Sequence, residues 1–315
     1  MKKTIDLTII SPLEGVKKGH MKVLSLEGAP CRGLGQIEIM KKISNIRSIQ
    51  FDHDFDVYIG SSWGAVLALC LSIKVPLDQI ERAFEESQTY LNSRAHRFFS
   101  LFFPRMCPEK VLAPFRPFFE NLQFKDLKKR VICHSYDICY KQIITFDSAN
   151  PKDQDLNLKD LLVRLTFAPS LYQPKIDTAF IDVSMAMRNP LFFTLMKFFK
   201  DFKGEPMDVL HIGAGQKRQE GAKVRKLFER GWIHWVFSKQ IFEEIDSIGR
   251  AYQDYLAEMI QSSNAFSSFK LVKIDPLIDG KLDFSFMGDM SLTPQEIRKE
   301  VDGWMEKFPI DHLEY

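Results

Sequence analysis

The chain has 315 residues, 45% of them hydrophobic and 27% charged, a balance that excludes disordered and collagen-like chains and leaves apolar surface for a large core. Its 43 Lys and Arg against 41 Asp and Glu give a formal net charge of +2, so it offers nucleic acid no global polycation and none is expected as a partner. The aromatic content is lopsided, with 27 Phe against 8 Tyr and 4 Trp.

The five cysteines, Cys31, Cys70, Cys107, Cys133 and Cys139, are scattered without zinc-like spacing, which argues against a disulfide framework or structural metal and for a reducing, cytoplasmic compartment. The opening Met1-Lys2-Lys3 and the apolar residues to Ile10 imitate a signal peptide, but Asp6 interrupts them and Ser11-Pro12 ends them. Ala65 to Leu71 is the longest clean apolar run, far below the roughly 18 to 20 residues of a membrane span. Peripheral association with a membrane and export without a cleaved signal stay open.

In chain order, residues 1–20 read as an N-terminal extension and 21–315 as one α/β domain. Met21 to Leu26 is a β-prone run ending in a glycine loop, and Leu34 to Ile46 carries apolar residues at helical spacing. Phe55 to Ile59 is a second strand, Gly60 to Gly64 a sharp turn, and Ala65 to Ile73 an apolar helix. Repetition of strand, loop and helix implies a mainly parallel sheet with helices on both faces. Val131 to Tyr140 and Gln142 to Phe146 read as a strand pair, Leu158 to Phe167 as a helix, and Lys175 to Ile181 and Met207 to Ile212 as strands. Glu220 to Gln261 reads as helical.

The sharpest chemical signal is Gly60-Ser61-Ser62-Trp63-Gly64, a G-x-S-x-G between a strand and a helix. Glycines allow a strained turn that presents Ser62 Oγ, while the following helix aims N–H groups and its dipole at developing negative charge. A glycine turn with a helix-capping serine is the competing reading. The earlier loop, Gly28-Ala29-Pro30-Cys31-Arg32-Gly33, lacks the lysine of a Walker motif and the spacing of a dinucleotide fingerprint. It remains a nest of N–H groups with one arginine at a helix start, suited to an oxyanion or phosphate. Asp182 ends a strand among apolar residues, where partial desolvation makes a carboxylate a better base. His211 lies inside a strand and His234 between Trp232 and Trp235, so both read as packing residues.

Three segments together resemble the patatin-like phospholipase family. Leu24 to Gly33 is similar to its D-G-G-G-x-[RK]-G loop, Gly60 to Gly64 to its G-x-S-x-G, and Phe180-Ile181-Asp182-Val183-Ser184 with Asn189-Pro190 to its F-x-D-G-[GA] and N-P segment. Ala168 to Tyr172 and Leu210 to Gly215 echo two further segments. The resemblance implies a three-layer α/β/α fold with a mainly parallel central sheet. It also implies a lipid acyl hydrolase with a Ser–Asp dyad and neither histidine nor metal or other cofactor. By position, Ser62 would be the nucleophile and Asp182 the base. Gly28, Ala29, Cys31, Arg32 and Gly33 would form the oxyanion or phosphate loop, and Gly60 and Gly64 would shape the elbow.

Departures bear on activity. Glu27 replaces the loop's aspartate, Ala29 and Pro30 its middle glycines, and Val183-Ser184 the small pair after the base. Proline supplies no N–H, and valine does not readily take a positive φ. A catalytically weakened module acting by lipid or protein binding is therefore the alternative, and a nucleotide-phosphate binder a weaker rival. Arg94 to Phe119 sets Phe98, Phe99, Phe102 and Phe103 beside cations, a pattern that suits either contact with a phospholipid surface or a core. Leu191 to Lys200, also Phe-rich, reads as acyl-channel lining or core. A protein activator leaves no dependable trace in sequence.

Overall fold

The computed structural model describes residues 19–91, 107–167, 180–185, 187–217, 240–262, 266, 268–278 and 293–306. In chain order the elements are β1 (Met21–Leu26), α1 (Gly33–Arg47), β2 (Val57–Ser61), α2 (Ser62–Ser72), α3 (Leu77–Leu91), α4 (Pro108–Val111), β3 (Arg130–Asp137) and β4 (Gln142–Asp147). They continue with α5 (Leu158–Thr166), β5 (Phe180–Ile181), α6 (Leu191–Lys197), α7 (Phe199–Phe202), β6 (Met207–Ile212) and β7 (Gln216–Lys217). The last are α8 (Gln240–Ser262), β8 (Phe269–Ile274), β9 (Leu277–Ile278) and α9 (Pro294–Met305).

The main sheet runs β4-β3-β2-β1-β6-β8, with β5 on β3. Pairs β1–β2, β2–β3, β1–β6 and β6–β8 are parallel, while β4 and β5 lie antiparallel to β3. Parallel strands covered on both faces read as nearly continuous apolar runs, as β2 and β6 do. One face packs α1, α2, α3, α5 and α9 through residues such as Leu34, Ile37, Val66, Ile80, Leu161 and Ile297. The other packs Leu191 and Leu195 of α6, Phe202 of α7 and Ile260 of α8 against Val23, Ile59 and Val209. The fold is thus α/β with helices on both faces of a mostly parallel sheet.

Local sequence explains the elements that position the site. Every residue of α2 is buried, which is why Ser62 to Ser72 lacks a polar stripe. Thr293 and Glu296 form a capping box and Pro294 opens α9. The strand expected at Phe55–Ile59 lies two residues later, because Gly60 and Ser61 continue the extended backbone to the turn. The helix expected from Ala65 begins at Ser62 itself.

Register then aligns three loops. Leu26 at the end of β1 pairs with Gly60 of β2 on one side and Ile212 of β6 on the other. The Gly28 loop, the Ser62 turn and the Gly213–Gly215 loop therefore leave neighbouring strands at one level. That is the carboxyl edge of a sheet whose strand order reverses at β1, a place where α/β folds bind ligands.

Candidate active site

Ser62 has φ 51°, a left-handed conformation uncommon outside glycine. Close packing enforces it. A Cβ on Gly60 would lie 2.5 Å from Ala65 Cα, and one on Gly64 would lie 2.4 Å from the Glu27 carbonyl oxygen. The strand can turn into α2 this sharply only with hydrogen at both positions, which leaves Ser62 at the N-terminus of the buried helix.

Asp182 reaches Ser62 by a sheet argument. β2 ends at Ser61, opposite His134 of β3, but β3 continues to Asp137. β5 fills the vacated edge, pairing Phe180 with Asp137 and Ile181 with Tyr136 in the antiparallel sense. It runs back toward the end of β2 and delivers Asp182 to the serine. Ser62 Oγ donates a hydrogen bond to Asp182 Oδ2 across 120 positions. The Ser184 N–H donates to Asp182 Oδ1 (2.8 Å), and the Asp182 N–H to the Phe167 carbonyl (2.6 Å).

Both side chains are buried, Ser62 at 1% exposure and Asp182 at 4%. Burial pushes the Asp182 carboxyl above its ordinary value, and the hydrogen bonds from Ser62 and Ser184 with the charge of Arg188 offset part of that rise. A carboxylate of this kind takes up its proton at a higher pH than a solvated aspartate. We expect the acid limb of kcat/KM for ester cleavage to lie above the ordinary aspartate range, measured as a pH–rate profile. A limb at or below that range would remove Asp182 from the base role.

The Val183 substitution is accommodated without a positive φ: Val183–Met185 form a short 3-10 turn, and Val183 is absent from the positive-φ positions. Asp182 therefore keeps its N–H donor from Ser184 without glycine.

Gly28 sits directly on the serine. A Cβ there would come within 2.7 Å of Ser62 Cβ and 2.9 Å of Ser184 Cβ. The Arg188 carbonyl receives both the Gly28 N–H (3.3 Å) and Ser61 Oγ (2.5 Å), tying the loop, the elbow and the segment after Asp182 together. The Ala29 N–H has no acceptor among the described residues. Beyond Pro30, Cys31 and Arg32 belong to the helix entry, their carbonyls accepting from Leu34 (3.2 Å) and Gly35 (2.9 Å). Gly33 lies under Phe84, where a Cβ would meet the ring at 2.4 Å. Arg32 is buried and donates from Nη1 to the Gly215 carbonyl at 2.7 Å, so its charge faces the β6 loop.

The histidines fall where packing would place them. His211 is buried and its Nδ1 lies 3.0 Å from Ser25 Oγ. His134 bridges Thr145 (3.0 Å) and Thr194 (2.7 Å), and burial, with a smaller push from Lys197, lowers it to about 3. His234 lies outside the described residues, as do Phe98, Phe99, Phe102 and Phe103 and the Ala168–Tyr172 segment. Of the same Phe-rich stretch, Phe115 and Phe119 are fully buried, with Phe115 edge-on to Trp63 at 5.8 Å. In the second stretch, Phe192, Phe198 and Phe199 pack against the core beneath α6 and α7, and Arg130 lies 5.0 Å over the Phe198 ring.

The partner of Glu27 is a feature the sequence did not reveal. Glu27 is 1% exposed and is met by Arg250 of α8, 223 positions away. Burial pushes its carboxyl up, but Arg250, followed by His211 and Lys273, outweighs burial and holds it well below the usual range. Only the departure from the family's aspartate hinted that a longer acid had a distant partner.

No protein-family model matches the chain. It is similar to a cGAMP-activated phospholipase of Escherichia coli (strain TW11681), 26% identical over 222 residues that cover 64% of this chain and 62% of that protein. It is also similar to a cGAMP-activated phospholipase of Vibrio cholerae serotype O1 (strain ATCC 39315 / El Tor Inaba N16961), 27% identical over 229 residues, covering 62% and 64%. The chain thus matches less than two thirds of the length of these curated relatives. Among solved structures, VipD from Legionella pneumophila gives a TM-score of 0.40 at 10% identity, covering 96% of this chain and 72% of that one. The type III effector protein ExoU gives 0.40 at 8% identity, covering 94% and 53%. Both scores are too low to support a structural argument. A serine elbow in contact with a carboxylate thus stands in a chain that is similar to two curated phospholipases.

Proposed function

We propose that the chain hydrolyses fatty-acyl ester bonds of phospholipids or lysophospholipids through a Ser62–Asp182 dyad and an acyl-enzyme. The hydrogen bond from Ser62 Oγ to the buried Asp182 carboxylate carries this reading. Asp182 takes the Ser62 proton as Oγ attacks the ester carbonyl. The tetrahedral intermediate collapses with protonation of the leaving alcohol by Asp182, and a water, deprotonated by the same carboxylate, then releases the fatty acid and restores the serine. Donors for the oxyanion are the Ala29 N–H and the Trp63 N–H, the latter in the first turn of α2, where a helix offers no acceptor of its own. Pro30 then costs the site nothing, because the loop's donor stands one residue earlier.

Both curated relatives are named for activation by cGAMP, so a cyclic dinucleotide is the activator we assign to this chain. The test incubates the chain with phosphatidylglycerol and phosphatidylcholine vesicles, with and without cGAMP, and measures free fatty acid and fluorophosphonate labelling. Wild type is expected to release fatty acid and to be labelled, and Ser62→Ala to do neither. Equal release by the two proteins would sink the reading, and an unlabelled Ser62 under every condition would favour the silent binding module. Release unchanged by cGAMP would remove the activator alone.

A further inference from the structure

The carboxyl ends of β1, β6 and β8 enclose a buried group of charges that the proposed chemistry does not touch. Glu27 follows β1. Its Oε2 accepts from the Ala214 N–H at 3.1 Å and from Arg250 Nη2. Arg250 is 4% exposed and its Nη1 also reaches the Gly215 carbonyl at 3.3 Å, an oxygen shared with Arg32. Asp275, just past β8, accepts from the Gly215 N–H (2.9 Å) and from Gln216 Nε2 (2.6 Å), and lies 3.7 Å from Arg250 and 3.6 Å from Lys273. Lys273 in turn holds Asp254 of α8 at 2.5 Å. Gln36 Nε2 donates to the Glu27 carbonyl (3.2 Å) and to the Ile212 carbonyl (2.9 Å).

The backbone consequences are specific. Glu27 immediately precedes Gly28, whose Cα packs on Ser62, and the Glu27 carbonyl is the atom against which Gly64 is fitted. Gln36 holds that carbonyl directly, and the Ala214 N–H and Arg250 fix the far end of the Glu27 side chain. Arg250 adds a fork whose second arm is bonded to the neighbouring β6 loop. The guanidinium therefore braces two catalytic-edge loops against each other from a helix that contributes nothing to the dyad.

We propose that Arg250 is a positioning residue that sets the Gly28–Ala29 loop at its working distance from Ser62 through Glu27. The inference rests on the acyl-hydrolase reading for its kinetic effect, though not for its structural one. A planar two-armed donor is required, so Arg250→Lys, which supplies one charge at one point, restores only part of the function.

The experiment uses the full chain with Arg250→Met, Arg250→Lys and the double variant Glu27→Gln/Arg250→Met. The double variant removes both charges and keeps an acceptor for the Ala214 N–H, so its thermal stability returns toward wild type where Arg250→Met alone strands a buried carboxylate. Expected are a fall in kcat of about a hundredfold in Arg250→Met and in the double variant, with KM within about threefold and Arg250→Lys intermediate. Amide exchange in residues 27–33 is expected to speed up at least about tenfold in the double variant, while β1 and β2 stay protected. A double variant with wild-type kcat, or with unchanged exchange in that loop, overturns the proposal. Should wild type itself release no fatty acid, the hydrolase reading falls, and loop exchange still decides whether Arg250 holds the loop.

Discussion

Replacing Asp182 with Asn is expected to lower fatty-acid release by about 10²–10⁴, the range for loss of a positioned general base, while leaving the protein at least as stable. The amide keeps the shape of the carboxylate and still accepts from the Ser184 N–H, which lies 2.8 Å from Oδ1. On the serine side it presents an NH₂ group, so the bond to Ser62 Oγ reverses direction and the hydroxyl proton has no acceptor. Stability moves the other way. Burial raises the folded-state carboxyl above its ordinary value, so the folded protein holds this proton more tightly than the unfolded chain. The stability that goes with the protonated form is complete below the unfolded value and is lost as pH rises through the folded one. As pH rises through the folded value, the wild type comes to carry a buried charge that the Asn variant lacks. Steady-state release and urea midpoints at several pH values check both halves, and an Asn variant with full activity would refute the dyad.

Gly64→Ala should cost about 3 kcal/mol or more, close to the upper range for one substitution. The added Cβ would lie 2.4 Å from the Glu27 oxygen, 2.5 Å from the Leu26 oxygen and 2.8 Å from the Glu27 carbon. All three are backbone atoms at the end of a central strand, so no side chain can swing aside. Either α2 withdraws from β1 or the Gly28 loop moves from Ser62, and activity is lost in both cases. Gly303→Ala in α9 is the control, because nothing lies within 4 Å of its added Cβ. There the helix gains about 0.8–1 kcal/mol of propensity. Denaturant unfolding of the pair separates steric exclusion from a general intolerance of glycine replacement.

The parts of this site that the sequence displays are those dictated by local geometry. Gly60 and Gly64 announce the elbow because no other residue permits the turn, and Asp182 stands out because apolar neighbours at a strand end desolvate its carboxylate. The alternation of β1, α1, β2 and α2 is equally visible, since each element carries its own periodicity. What stays hidden depends on partners far along the chain. Nothing near Glu27 names Arg250, and nothing near Arg32 indicates that its guanidinium goes to Gly215. Burial of all of α2 also erases the amphipathic signal that would mark where that helix begins.

The short antiparallel strand β5 has a consequence for the order in which the molecule becomes competent. Ser62 is strained into its turn by neighbours within three residues and by β1, all of which leave the ribosome early. Its carboxylate arrives on a strand whose sheet partner among the described residues is the far end of β3, and the Gly28 loop is braced by β6 and α8, later still. Contacts of such long range form slowly. A growing chain therefore holds the Ser62 hydroxyl long before the Asp182 carboxylate, and the site closes only when nearly all of the sheet is in place.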